Sequence, residues 1–215
     1  ALREAMSARP DSAHSLGGET LEKAYQQVAR TYDAHEGGFG GAPKFPRPVL
    51  LNFLLRVYAD QSETTTGKHA LEMTLFTLRK MAAGGMHDQL GGGFSRYSVD
   101  ALWHVPHFEK MLYDQAQLAR AYVDAFQLTH DSRWEKIARD VNDYVLRDMT
   151  DKDGGFYSAE DADSILEHGK PEHGEGAFYV WTKAEIDRLL GDDASLFDRF
   201  YGVEADGNAP VGSDP

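Results

Sequence analysis

The sequence contains no cysteine, which removes thiol nucleophiles, disulfide staples and zinc–thiolate centres from its chemistry and fits a reducing compartment. It has no run approaching the ~20 consecutive apolar residues of a membrane span, and no early apolar block of the kind that marks a signal peptide. Positive charge is scarce. Lys and Arg number 22 against 35 Asp and Glu, a formal net charge of −13. A general phosphate-backbone binder needs a basic surface, so neither nucleic acid nor a membrane is expected as a partner. No G-x-S-x-G elbow, Walker loop or dinucleotide fingerprint occurs, and no cofactor is expected. What is present is an acidic chain of 215 residues, 41% hydrophobic and 11% aromatic. That composition buries a sizeable core and is read as soluble and cytoplasmic.

Residues 1–18 mix small and polar side chains, end in Gly17-Gly18 and read as a leader or linker. Residues 19–215 read as one mainly helical domain. Leu21, Ala24, Tyr25, Val28, Ala29 and Tyr32 recur at helical spacing up to a stop at Gly37-Gly38. Pro46 and Pro48 open a second helix whose body, Val49 to Tyr58, is apolar nearly all round. A third runs from about Lys68 to Ala83, and a fourth is expected from about Phe108 to Thr129. The pairs Ser132/Glu135 and Thr182/Glu185 have capping-box spacing for two more. The aromatic and β-branched stretch between Gly154 and Trp181 predicts a short hairpin.

The connections repeat. Gly37-Gly38-Phe39, Gly92-Gly93-Phe94 and Gly154-Gly155-Phe156 each follow an odd-numbered helix, and Pro43-Lys44-Phe45 and Pro106-His107-Phe108 each lead into an even-numbered one. Lys44 takes the place of His107 in that alignment. Self-similarity at such spacing marks a repeated helical hairpin. With antiparallel helices, all three Gly-Gly-Phe loops emerge on one rim, where a shared pocket can form. Glycines at turns that need positive φ explain the same pattern without a pocket.

Trp103-His104-Val105-Pro106-His107-Phe108-Glu109-Lys110-Met111-Leu112-Tyr113-Asp114, preceded by Gly91-Gly92-Gly93-Phe94-Ser95-Arg96-Tyr97, resembles the spermatogenesis-associated, thioredoxin-domain-containing protein family. So do Gly40-Gly41-Ala42-Pro43-Lys44-Phe45-Pro46, Ser158-Ala159-Glu160-Asp161-Ala162-Asp163-Ser164 and Phe178-Tyr179-Val180-Trp181-Thr182. The resemblance implies an (α/α)6 toroid similar to N-acylglucosamine 2-epimerases and six-hairpin glycosidases. Residues 19–215 would form about half of that all-α toroid, with a short β-hairpin or irregular rim. A thioredoxin-like domain, absent from this chain, would be its neighbour in the parent protein. Self-association through the open edges of a half-toroid is also expected. Ile165 to Glu175, containing His168 and His173, departs from the family's short acidic segment.

Two clusters carry chemistry. The first comprises His104, His107, Glu109, Lys110 and Asp114; with the fourth helix starting near Phe108, Glu109 and Lys110 would lie in its first turn. A histidine beside a carboxylate is the minimum kit for proton transfer. The alternative is a capping Glu109, a Lys110–Asp114 surface pair, and Trp103 and Phe108 in packing roles. The second cluster is Glu160, Asp161 and Asp163, suited to acid–base or glycosidic chemistry, to hydrogen-bonding sugar hydroxyls, to holding a cation, or simply to a solvated acidic turn. Arg96 and Tyr97 are candidates for holding a polar ligand. Phe39, Phe94, Phe156 and Tyr157 either stack on a sugar face or fill the core. His104 and His107 are spaced as H-x-x-H, but Pro106 lies between them and no third ligand is identifiable, so no metal is expected.

The resemblance and the residue types together imply a carbohydrate-active protein of the epimerase or isomerase type. His107, Glu109, Glu160 and Asp161 are the catalytic candidates; Arg96, Tyr97, His104, Lys44 and Asp163 are the binding candidates. The rivals are a glycoside hydrolase using Glu160 or Asp161, and a non-catalytic scaffold acting with the thioredoxin-like domain.

Overall fold

The computed structural model describes residues 17–166 and 169–209. His168 and most of the expected leader, residues 1–16, lie outside the described residues. The chain divides into two compact units, 1–31 and 32–215. The first contains α1, Gly18–Arg30, an amphipathic helix with Glu19 in its first turn and Arg30 in its last. It ends seven residues before Gly37, because Tyr32 leaves the helical ladder to pair with Phe39 across the next loop.

In the second unit, α2 (Pro48–Gln61) and α3 (Thr65–Ala83) form an antiparallel hairpin, as do α4 (Leu112–Thr129) and α5 (Ser132–Asp148). Helices α2 and α4 also pack on each other. Pro48 sits at the start of α2 as expected, and the Thr64 hydroxyl caps α3 by accepting from Gly67 N at 3.0 Å. Helices α6 (Lys183–Leu190) and α7 (Ala194–Tyr201) follow, and the Thr182/Glu185 capping box forms at α6. The Ser132/Glu135 box does not form. Asp131 caps α5 instead, accepting from Arg133 N at 3.0 Å, and Glu135 pairs with Arg139.

Helix α4 begins four residues later than its apolar pattern implies. The backbone before it is committed to short strands: β1 (Tyr97–Ser98) pairs with β2 (Pro106–His107), and β3 (Lys110–Met111) pairs with β4 (Ala159–Glu160). Glu109 O accepts from Arg96 N at 2.8 Å, and Leu112 N donates to Ser158 O at 3.0 Å. With those groups occupied, the chain cannot begin helical bonding before Leu112. Lys110 is therefore a strand residue, Glu109 lies in the short segment between β2 and β3, and no Lys110–Asp114 pair forms. A further hairpin, β5 (Asp163–Ile165) with β6 (His173–Glu175), occupies the stretch where a hairpin was expected.

The three Gly-Gly-Phe loops share one construction. An aspartate opens each: Asp33 N bonds Gly38 O, Asp88 N bonds Gly93 O, and Asp151 N bonds Gly155 O. Each phenylalanine closes an antiparallel bridge, Tyr32–Phe39, His87–Phe94 and Thr150–Phe156. Both glycines of the first two loops, and the first of the third, take positive φ, which requires glycine. Phe39 and Phe94 are core residues, 1% and 0% exposed, while Phe156 and Tyr157 are 56% and 50% exposed. Lys44 bridges to Ser98, four residues after Phe94, and Lys110 pairs with Glu160, four residues after Phe156. These contacts tie successive loops together along one rim. The same register makes Lys110, not His107, the structural counterpart of Lys44.

Both lysines are sealed. Lys44 is 0% exposed, donates to Asp33 at 2.6 Å and to Ala101 O at 2.9 Å, and lies over the Trp103 ring. Burial pushes the Asp33 carboxyl up, but hydrogen bonds from Lys44 and from the backbone of Glu36 and His35 outweigh it and bring the pKa to about 2. A carboxyl depressed below its unfolded value of 3.8 stabilises the fold above that pH. Stability is therefore expected to fall as pH drops from about 4 towards 2, and Asp33→Asn should flatten that part of a pH–Tm profile.

Candidate functional site on the loop rim

The β1–β2 hairpin carries Tyr97 and His107 as a register pair, and their rings stack at 4.8 Å between centroids. Phe45, from the first loop, packs on the other side of Tyr97 at 4.6 Å. Tyr97 thus contacts both Phe45 and the His107 ring, and the His107 side chain is 23% exposed. Its Nδ1 lies 2.5 Å from Glu175 Oε1, and Nε2 lies 3.7 Å from Glu109 Oε2. A carboxylate accepts only, so Nδ1 carries a proton and Nε2 is the nitrogen left for exchange. Glu109 Oε2 also accepts from Arg96 Nη1 at 2.7 Å, which holds the guanidinium firmly protonated. Arg96, Tyr97, His107 and Glu109, all singled out in the sequence, form one half-buried constellation.

Glu175 is the member the sequence did not reveal. It lies 68 residues from His107, in the segment that departs from the family pattern, and only the β5–β6 register brings it back. The same Oε1 accepts from Phe108 N at 3.3 Å. Gly176 makes that return possible. Its φ is +71°, and an added Cβ would lie 2.5 Å from the Phe108 ring, which stacks on Tyr179. Gly176→Ala is expected to cost about 1–3 kcal/mol through overpacking and to loosen the Glu175–His107 contact. Thermal unfolding and NMR titration of the His107 ring read the two effects separately.

Asp114, in the first turn of α4, borders the same group. It is 6% exposed, and its carboxyl is pushed up to about 6 by burial, with Arg96 opposing the shift and Glu109 adding to it.

The other candidates lie elsewhere. His104 sits at the turn of the β1–β2 hairpin, its Nε2 2.8 Å from Asn208 O, so the two histidines of H-x-x-H have different partners. Asp161 and Asp163 are exposed, with Asp161 Oδ1 accepting from Asp163 N at 3.0 Å. Lys44 is the buried partner of Asp33. Glu160 lines an open cleft of about 620 Å³ together with Asp88, Lys110, Tyr144, Arg147 and Tyr179. There the hydroxyls of Tyr144 and Tyr179 both donate to Glu160, while Lys110 donates to Asp88 at 2.9 Å and Gly92 O at 3.0 Å. Burial and the Glu160 hydrogen bond raise both phenols far above the ordinary range. The polar groups of this cleft are satisfied by one another. Among the described residues no group of three or more His, Asp or Glu side chains is arranged to hold a metal ion, and no helix is long and apolar enough to cross a membrane.

No family model matches the chain. Among curated proteins, human spermatogenesis-associated protein 20 is 46% identical over 203 residues, covering 90% of this chain and 26% of that protein. An uncharacterised protein of Caenorhabditis elegans is 45% identical over 207 residues, covering 92% of this chain and 28% of that protein. The chain therefore spans about a quarter of the length of the curated relatives it matches. Among solved structures, a cellobiose 2-epimerase from Bacillus thermoamylovorans superposes with a TM-score of 0.51 at 13% identity, covering 66% of this chain and 41% of that one. A sugar epimerase from a ruminal bacterium gives 0.50 at 14% identity, covering 85% and 53%. At such identities the likeness is one of fold, and it matches the repeated antiparallel hairpins of an epimerase-type (α/α)6 toroid. At 46% identity along nine-tenths of its length, the chain is similar to a stretch making up about a quarter of human spermatogenesis-associated protein 20.

Proposed function

We propose that the loop rim forms part of a saccharide site in which a proton is moved at the carbon beside the carbonyl of an open-chain sugar, as in epimerisation or isomerisation. The observation that carries this reading is the clamped histidine: Nδ1 on Glu175 at 2.5 Å, Nε2 turned towards Glu109, and Glu109 itself held by Arg96. A carboxylate-oriented imidazole whose second nitrogen makes no hydrogen bond among the described residues has the groups that general acid–base transfer needs. Arg96, partly exposed beside it, supplies a cation for a sugar oxygen. The epimerase-type fold is compatible with this chemistry and does not by itself select it.

The glycosidic alternative places the chemistry at Glu160, whose oxygens already accept two phenolic hydrogen bonds. Residues 19–215 would supply about half of the toroid wall. The groove between α2 and α4, with Val49 67% exposed, is the face that further helices of the ring would line.

The experiment is a thermal-shift screen of the protein as it occurs naturally against monosaccharides, N-acylated sugars, sugar phosphates and oligosaccharides. A ligand that binds the native state raises its Tm by mass action. A shift present in the wild type and lost in a folded His107→Ala variant is expected. A shift lost only in Glu160→Ala would move the site to the second cleft, and a flat response would leave the scaffold role as the better account.

A further inference from the structure

The cleft of about 620 Å³ beside Glu160 lies outside the His107 constellation and sets a fixed polar floor next to bare aromatic rings. Both Glu160 oxygens are held: Tyr144 donates to Oε2 at 2.5 Å, and Tyr179 donates to Oε1. A carboxylate oxygen can accept a second hydrogen bond, so each keeps an acceptor position. Phe178, which lines the cleft, is 72% exposed, and Tyr157 is half-exposed, yet both are anchored. The Phe178 ring stands edge-on to Tyr179 at 5.2 Å, and its amide donates to Ser164 Oγ at 2.9 Å. Tyr157 N donates to Met149 O at 2.8 Å, and its hydroxyl donates to Asp151 at 2.5 Å. Rings presented to solvent on an anchored backbone offer stacking area at little ordering cost.

The charges of the cleft select the class of ligand. Lys110 pairs with Asp88 at 2.9 Å and Arg147 with Asp148 at 2.9 Å, whereas Glu160 has phenols as its partners. An anion would be repelled by Glu160. A cation would meet the Lys110 ammonium, which already lies over the Tyr144 and Tyr179 rings at 4.4 and 5.0 Å. A neutral molecule with hydroxyl donors and an apolar face meets neither obstacle, and a pyranose ring has both features. Tyr179 also joins this cleft to His107. Its hydroxyl reaches Glu160, while its ring stacks at 5.3 Å on Phe108, the residue that follows His107. One segment, 173–179, thus supplies Glu175 to His107 and Phe178 and Tyr179 to the cleft.

We infer that this cleft is a binding subsite for a neutral pyranose ring, stacked on Phe178 and Tyr157 with its hydroxyls on Glu160, and that the ligand is a disaccharide or longer whose other end reaches His107. The subsite stands on the cleft itself; the placement of the other end rests on the saccharide reading above.

The test is equilibrium binding to the naturally occurring protein, followed by saturation-transfer NMR and independent of activity. The probes are glucose, galactose and mannose, with maltose, cellobiose, lactose and mannobiose. At least one disaccharide is expected to bind about 10-fold more tightly than its constituent monosaccharides, and Phe178→Ala is expected to remove most of that preference. Val180→Ala, exposed nearby but outside the cleft lining, should leave it intact. Phe178 is largely in solvent, so its variant should keep the wild-type Tm. Equal affinity for mono- and disaccharides overturns the subsite, as does a preference that survives both Phe178→Ala and Tyr157→Ala. So does an absence of binding across the panel, or tighter binding of choline or glucose 6-phosphate. A disaccharide that binds through Phe178 without C2–H exchange in D₂O refutes the proton-transfer reading and leaves the subsite. Exchange with monosaccharides and no disaccharide preference does the reverse.

Discussion

Replacing His107 with Gln is expected to slow deuterium exchange at C2 of a bound sugar by about 10²–10⁴-fold, the usual contribution of one positioned acid–base group. Gln keeps a donor near Glu175, so the β5–β6 hairpin stays docked and the fold survives. What disappears is the titrating nitrogen facing Glu109 at 3.7 Å. Glu175→Gln is expected to act more mildly and differently, altering the pH profile through the His107 ring, because it orients the imidazole and does not face the exchangeable nitrogen. Unchanged exchange in a folded His107→Gln protein would remove His107 from the chemistry.

The largest stability effect is expected at Lys110. Its side chain is 2% exposed, with Asp88 and Gly92 O as acceptors and the rings of Tyr144 and Tyr179 beneath its ammonium at 4.4 and 5.0 Å. Burial pushes the Asp88 carboxyl up, but the Lys110 hydrogen bond and charge, with backbone donors from Gly91 and Leu90, bring it below its ordinary value. Removing one member of a buried ion pair costs about 3–5 kcal/mol, because the other charge remains desolvated. Asp88→Asn and Lys110→Met should each lose that much in urea unfolding, and the double variant should lose less than the sum. Additive losses would show that the two side chains do not depend on each other.

Much of the fold is legible in the sequence because helices here follow apolar spacing and proline placement, as α2 and α3 show. The beginning of α4 is not legible. Phe108 to Met111 continue a helical pattern, yet their backbone groups are claimed by Arg96 and by β4, a pairing that sequence spacing does not encode. The Asp33 and Asp88 loop anchors were hidden for a related reason: their lysines arrive 11 and 22 residues later, at unequal offsets. In the candidate site, Arg96, Tyr97, His107 and Glu109 are recoverable because they lie within one compact stretch. Glu175 is not, since only the register of a distant hairpin delivers it. Asp114 is visible as an acid near the cluster, but its burial follows from packing alone.

The most direct test of the proton-transfer account is ¹H NMR of a panel of reducing aldoses and their N-acylated derivatives, incubated in D₂O with the naturally occurring protein. The account predicts loss of the C2–H signal for at least one sugar, without cleavage of any glycosidic bond, and its suppression in His107→Gln. Retention of every C2–H signal, or release of a free sugar from an oligosaccharide without exchange, would contradict it.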